Sequence, residues 1–128
     1  MKERVLVDFL EGRASAADLA ENLAHAYVQE GLDTWALHVE PVEETYTVTR
    51  QGLIRLCDAV LAGDIAPDLL EPVGDCLMLS EAPTFDEADR DLLAEVAHRW
   101  GAPEINGRLD LDAVRMFREG LAAGRLPG

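Results

Sequence analysis

The sequence predicts an all-α, mainly helical protein that packs five or six helices into a single irregular bundle over residues 1–128. Apolar residues recur at helical spacing in several segments. Cap-forming residues precede these segments and glycines follow them. Aromatic residues make up only 5% of the chain, so Leu, Val, Ile and Ala must build the core. A chain of 128 residues suits one domain that buries roughly two thirds of its unfolded surface.

Two helices are predicted within residues 1–31. The first ends at Gly12, because glycine readily adopts the left-handed conformation that follows a helix. The second begins at Ser15, which forms a capping pattern with Asp18, and ends at Gly31. Their apolar faces consist of Leu6, Phe9, Leu10, Leu19, Leu23, Ala26 and Tyr27.

The segment 32–48 is predicted less clearly. Apolar residues alternate on either side of Pro41, a pattern that allows a short hairpin. The run WALH also suits one helical turn that Pro41 stops. We expect an irregular or briefly helical connection, with a small β element between residues 33 and 48 as the alternative.

The third and fourth helices are predicted between residues 49 and 79. Thr49 caps the third helix, which runs up to Gly63. Pro67 suits the first turn of the fourth helix, in which Pro72 and Gly74 should produce a kink or a break. The predicted core positions are Leu53, Leu56, Cys57, Val60, Leu61, Leu69, Leu70, Val73, Cys76, Leu77 and Leu79.

The fifth helix is predicted to begin at a capping box formed by Thr84 and Glu87 and to stop at Gly101. The last helix begins at Asp110 and ends at Gly124. Leu109 and Val114 surround the start of the last helix as a hydrophobic staple. The other apolar positions of these two helices are Leu92, Leu93, Val96, Ala97, Trp100, Phe117 and Leu121.

The connection between these helices, within HRWGAPEINGRLDLDAV, has two interpretations. As a structural joint, it would be stiffened by Pro103 and anchored in the core by Ile105. As a binding loop, it would present Glu104 and Asn106. The joint is the favoured interpretation.

The net charge of −14 restricts the partners. Because an acidic surface repels phosphate groups, we expect neither nucleic acid nor an anionic membrane as a direct ligand. A basic protein partner is compatible with this charge, although acidity also simply keeps a protein soluble. The predicted oligomeric state is a monomer or a homodimer.

The sequence also predicts a cytoplasmic location and no cofactor. We find neither a signal sequence nor an apolar stretch of transmembrane length. Cys57 and Cys76 lack metal-binding spacing and lie on apolar stretches, so we expect reduced core residues.

Catalysis is not indicated, with one alternative. Glu87, Asp91 and Glu95 stand at i, i+4 and i+8, which would place three carboxylates on one side of the fifth helix. Such a row suits magnesium or manganese in an all-α metal-dependent nucleotide hydrolase. The competing and stronger interpretation is a solvated face, since Glu95 and Arg99 form an i, i+4 pair on the same side.

Two segments resemble known families. The run VDFLEGRASAADLAENLAHAYVQEG, from Val7 to Gly31, resembles the opening of the colicin D immunity protein family. This resemblance implies a small acidic helical protein that neutralises a basic RNase toxin by covering its active site. The runs LCDAVLAGDIAP, WGAPEIN and LDLDAVRMF are similar to segments of small uncharacterised bacterial proteins, a resemblance that implies no activity.

We therefore expect a small acidic cytoplasmic interaction protein, of the immunity-inhibitor type, that binds a basic protein. The alternatives are the metal-dependent hydrolase and a structural or oligomerisation domain. The candidate partner-binding residues are Glu40, Glu43, Glu44, Glu104 and Asn106.

Overall fold

A computed structural model describes residues 1–29, 32 and 35–126. The fold is mainly helical, with 62% helix and 10% strand, which confirms the predicted helical class. The helices are α1 (Glu3–Leu10), α2 (Ala16–Ala24), α3 (Arg50–Leu61), α4 (Leu70–Leu79), α5 (Arg90–Gly101), α6 (Pro103–Asn106) and α7 (Leu111–Ala123). The strands are β1 (Tyr27–Gln29), β2 (Trp35–Leu37), β3 (Tyr46–Val48) and β4 (Pro83–Phe85).

The predicted helix caps are confirmed at three helix starts. The side chains of Ser15, Thr49 and Asp110 accept hydrogen bonds from the backbone N–H groups of residues 18, 52 and 113, respectively. These bonds satisfy donors that the first turn of a helix leaves without a partner. Local sequence therefore sets the starts of α2, α3 and α7.

The segment 32–48 differs from the expected irregular or helical connection. Trp35–Leu37 forms a strand that pairs antiparallel with Tyr27–Gln29, and Tyr46–Val48 pairs parallel with Pro83–Phe85. The small β element of the alternative prediction is thus present, but each of its strands pairs with a strand outside the segment. Consequently α2 ends at Ala24, and the predicted end at Gly31 is wrong; Gly31 itself lies outside the described residues.

The predicted capping box at the start of the fifth helix is also wrong. Thr84 lies in β4, where its hydroxyl donates to the carbonyl oxygen of Tyr46 at 3.1 Å. Asp86 instead caps a 3-10 turn over Glu87–Asp89, and α5 begins only at Arg90. The pairing of β3 with β4 therefore overrides the local capping signal.

The predicted break in the fourth helix is absent. A 3-10 turn at Pro67–Leu69 precedes α4, which runs without interruption. Pro72 is the third residue of α4, where a backbone N–H would have no partner within the helix. Gly74 instead allows α5 to approach, because a Cβ atom there would lie 2.5 Å from the carbonyl oxygen of Ala97.

The connection between α5 and α7 contains the short helix α6, which brings the described helices to seven rather than five or six. Ile105, the predicted core anchor, is 79% exposed, so that expectation is wrong. The chain is anchored on either side of it by Trp100 and Leu109, both of which are buried.

The main core cluster consists of buried apolar side chains of the helices and of β3, together with Ile65, Ala82 and Leu109 from connecting segments. The most extensive helix contacts are those of α4 with α5 and of α3 with α7. Trp100 of α5 and Phe117 of α7 meet edge to face, with ring centroids 6.0 Å apart. In the described ranges, no helix has the length and apolar character needed to cross a membrane.

Candidate functional site

A buried carboxylate connects the start of α1 with three distant segments. Glu3 is completely buried. Its Oε2 accepts a hydrogen bond from the Tyr46 hydroxyl at 2.6 Å. Its Oε1 accepts from the Ser80 hydroxyl at 2.9 Å and from the backbone N–H of Val42 at 3.3 Å. We call this group, formed by Glu3, Tyr46, Ser80 and the backbone of Val42, the Glu3 cluster.

The backbone next to Glu3 holds the cluster in place. The Glu3 N–H donates to the carbonyl oxygen of Glu40 at 3.0 Å, and the Glu40 N–H donates to that of Met1 at 2.7 Å. Asn22 of α2 bonds both the N–H and the carbonyl of Lys2. These bonds hold in place the backbone from which the Glu3 side chain extends.

Burial, reinforced by Glu3 at Tyr46 and Cys76, favours the protonated forms of the tyrosine and the cysteines in this part of the core. Burial raises the pKa of Tyr46, and its hydrogen bond to Glu3 raises it further, so the phenol remains a donor. Burial, reinforced by the Glu3 carboxylate, raises the pKa of the Cys76 thiol to about 12. Burial likewise raises the pKa of Cys57 to about 12. Because only a thiolate is an effective nucleophile, neither cysteine is activated for catalysis at neutral pH.

A groove of about 810 Å³ lies beside the Glu3 cluster. One wall is the segment 37–45, and the other is the end of α4 with the residues that follow it. Ser80 belongs to both features, since it lines the groove and bonds Glu3. The lining residues are Leu37, Val39, Pro41, Val42, Glu43, Thr45, Cys76, Leu79, Ser80, Glu81 and Ala82. We refer to this feature as the groove.

The rim of the groove is apolar and acidic. Leu79, the last residue of α4, is 74% exposed. Glu43 and Glu81 are also exposed. Within the described chain, neither glutamate forms an ion pair. The lining contains no Lys, Arg or His.

A second group of carboxylates lies around α4 and α6. The Tyr27 hydroxyl donates a hydrogen bond to Asp75, which joins β1 to α4. Burial raises the pKa of Glu71, and the charges of Asp75, Glu104 and Asp68 raise it further. Burial and Glu104 also raise the pKa of Asp75, although the bond from Tyr27 opposes this shift. We call Asp68, Glu71, Asp75 and Glu104 the acidic face.

The five predicted partner-binding residues lie in different parts of the structure. Glu43 lines the groove, and Glu104 belongs to the acidic face. Glu40 lines a separate hollow between α1 and α2. Glu44 forms an ion pair with Arg4, and the amide of Asn106 donates to the carbonyl oxygen of Ala102 at 3.1 Å. Asn106 therefore stabilises its own short helix.

The three predicted metal-ligating residues do not share one helix. Glu87 lies in the 3-10 turn, whereas Asp91 and Glu95 belong to α5. Glu95 pairs with Arg99, with 2.8 Å between Oε1 and Nε. Over residues 1–29, 32 and 35–126, no group of three or more His, Cys, Asp or Glu side chains is placed to hold a metal ion. The geometry thus gives no support to the metal-dependent alternative.

Sequence reasoning missed Glu3, Asp75, Tyr27 and the exposure of Leu79. A signal for Glu3 was present, because helical spacing places it on the same face as the buried Leu6 and Val7. An acid on an apolar stripe must find hydrogen-bond donors when it is buried. Its donors lie 39 to 77 residues away, so local patterns give no indication of them.

The chain matches no family model, no curated protein and no solved structure.

Proposed function

We propose that this chain is a small acidic interaction protein that binds a basic protein partner, as an inhibitor of the immunity type. The acidic face carries the proposal. Burial is the largest cause of the raised pKa values of Glu71 and Asp75, and the negative charge of neighbouring carboxylates, Glu104 among them, raises both values further, as expected of like charges that repel one another. Lys or Arg side chains of a partner would relieve that repulsion on binding.

An exposed apolar side chain lies next to these charges. Ile105 follows Glu104 directly and is 79% exposed. Interfaces commonly combine a desolvated apolar centre with a charged rim. A partner that offers an apolar depression surrounded by basic groups fits this combination.

The overall charge of −14 favours the same class of partner. Opposite charges accelerate encounter and reject partners of the same sign. The resemblance of residues 7–31 to the colicin D immunity protein family suggests that the bound partner is inhibited. The cytoplasm is part of the proposal, because Cys57 and Cys76 are both unpaired, as is usual in a reducing compartment.

Affinity capture followed by a binding assay tests the proposal. The tagged chain captures proteins from a lysate of its source cells at about 50 mM salt, and each captured protein is purified and titrated at low and high salt. We expect a basic protein whose affinity falls about tenfold or more as the salt rises to about 500 mM. A partner activity that is lost on binding identifies an inhibitor.

Matched variants complete the experiment. Glu71→Gln with Glu104→Gln should weaken binding of the captured protein, whereas Glu87→Gln with Glu119→Gln removes the same charge elsewhere and should have a smaller effect. Equal effects of the two pairs would assign the binding to net charge alone. Capture of only neutral or acidic proteins, or an affinity that does not depend on salt, would refute the proposal.

A further inference from the structure

We infer that the groove is a docking site for a segment of a protein partner that places an apolar side chain between basic residues. This inference rests on the proposed function and adds the groove, as a second contact surface, to the acidic face that binds the basic partner. Three features carry it: the exposed leucine, the acidic rim and the rigid walls.

The apolar content of the groove favours an apolar side chain as the occupant. Leu79 is 74% exposed, and Leu37, Val39 and Val42 face the same space. Covering these side chains removes apolar surface from water, which is favourable in proportion to the area covered. The volume of about 810 Å³ exceeds that of any single side chain, so a short segment of several residues fits.

The charge of the groove selects basic residues beside that apolar side chain. Glu43 stands on one wall and Glu81 on the other, and the lining residues include no cation to neutralise them. Lys or Arg on either side of the apolar residue would complement both walls. A second copy of this chain is disfavoured as the occupant, because it would bring another net charge of −14 to the surface.

The Glu3 cluster fixes the distance between the two walls. Val42 on one wall and Ser80 on the other both bond Oε1 of the same buried carboxylate, at 3.3 and 2.9 Å. Ala82 reinforces the second wall, since its N–H donates to the Ser80 hydroxyl at 3.3 Å. A groove that is already formed loses little conformational entropy when a segment binds.

Selection from a library of short random peptides displayed on phage, with the full chain as bait, tests this inference. We expect the enriched peptides to share an aliphatic or aromatic residue flanked by Lys or Arg. The best enriched peptide is then synthesised and titrated against the variants by fluorescence anisotropy. Enrichment of acidic or uncharged peptides, or the absence of enrichment, overturns the inference.

The variants assign the peptide to the groove. Leu79→Ser should weaken binding by about tenfold or more, whereas Leu111→Ser, which removes an exposed apolar side chain outside the groove, should have little effect. Glu43→Gln with Glu81→Gln should weaken binding and reduce its salt dependence more than a matched pair of substitutions at Glu87 and Glu119. Because these residues are exposed, the variants should keep the wild-type melting temperature.

The outcomes separate this inference from the proposed function. A basic peptide that responds to Glu71→Gln and Glu104→Gln but not to Leu79→Ser overturns the groove as the site, while binding of a basic partner stands. A dimer in sedimentation experiments that Leu79→Ser dissociates shows that a second copy occupies the groove, which also overturns the inference. Loss of peptide binding in the groove variants alone supports it.

Discussion

Replacing Gly74 with alanine tests the close packing of α4 against α5. The added Cβ atom would lie 2.5 Å from both the Ala97 carbonyl oxygen and the Gly101 nitrogen, and 2.8 Å from the Trp100 Cβ. Two of these atoms belong to the backbone of α5, so they cannot move away by a change of rotamer. The two helices must separate instead.

The distances give the size of the effect. Because heavy atoms pack at about 3.5–4.0 Å, the helices would have to separate by about 1 Å. Overpacking of this kind costs about 1–3 kcal/mol, and the upper end applies where the backbone is the obstacle. Alanine regains about 1 kcal/mol through its higher helix propensity. We expect Gly74→Ala to lower the free energy of unfolding by about 2 kcal/mol and Tm by roughly 6–10 °C.

Differential scanning calorimetry and urea unfolding measure the change, with Gly52→Ala as the matched control. A Cβ at Gly52 would lie 3.4 Å from the nearest atom of Leu10, which is an ordinary contact. The control should therefore leave stability unchanged or raise it by up to about 1 kcal/mol. If Gly74→Ala melted at the wild-type temperature, or if both variants changed alike, the argument from helix separation would be wrong.

Three further predictions concern single side chains. Tyr46→Phe leaves Oε2 of Glu3 without its hydroxyl donor and should lower the free energy of unfolding in urea by about 1–3 kcal/mol. A decrease below about 0.5 kcal/mol would contradict the role of this hydrogen bond. Glu71→Gln should stabilise the chain at pH 7, by less than about 1 kcal/mol because these carboxylates are partly exposed to solvent. The raised pKa of Glu71 means that its protonated form is favoured in the folded state, so the wild type is penalised above that pKa. The advantage of Gln should close as the pH falls below the usual carboxyl pKa, and an advantage that persists there would contradict this cause. Trp100→Phe removes a buried indole N–H that has no partner in the described chain. It should therefore cost about 1–2 kcal/mol in urea unfolding, less than the 3–5 kcal/mol typical of a buried Trp→Ala change. A cost above about 3 kcal/mol would contradict this explanation.

Most helices could be predicted because their signals are local. A cap residue and a glycine a few positions beyond the last turn lie within the segment that they delimit, as Thr49 and Gly63 do for α3. Gly63 has a φ of +85°, the left-handed conformation expected of it. Such positions depend little on the rest of the fold.

The strands could not be placed in the same way. Each of them has three residues, too few for a clear alternation of apolar and polar positions. Tyr46 pairs with Pro83, 37 positions away, and this pairing decides that Thr84 belongs to a strand rather than to a helix cap. Thr84 thus suits both a helix cap and a strand, and only the distant partner strand β3 decides between them.

Only the acidic character of the candidate site could be predicted from the sequence. Glu43 and Glu104 were identified because acids in irregular segments are accessible. The sequence offered no means to see that Glu44 pairs with Arg4, or that Ile105 stays outside the core. Both outcomes depend on which elements become neighbours.

The Glu3 carboxylate also has a consequence for local unfolding. Its three donors come from segments 39, 43 and 77 residues away along the chain. If any one of these segments opened, it would leave a buried charge without part of its hydrogen bonding, which is costly. The start of α1, the Val42 backbone, β3 and the end of α4 should therefore open together as one cooperative unit, and hydrogen exchange of their amides should report a common free energy of opening.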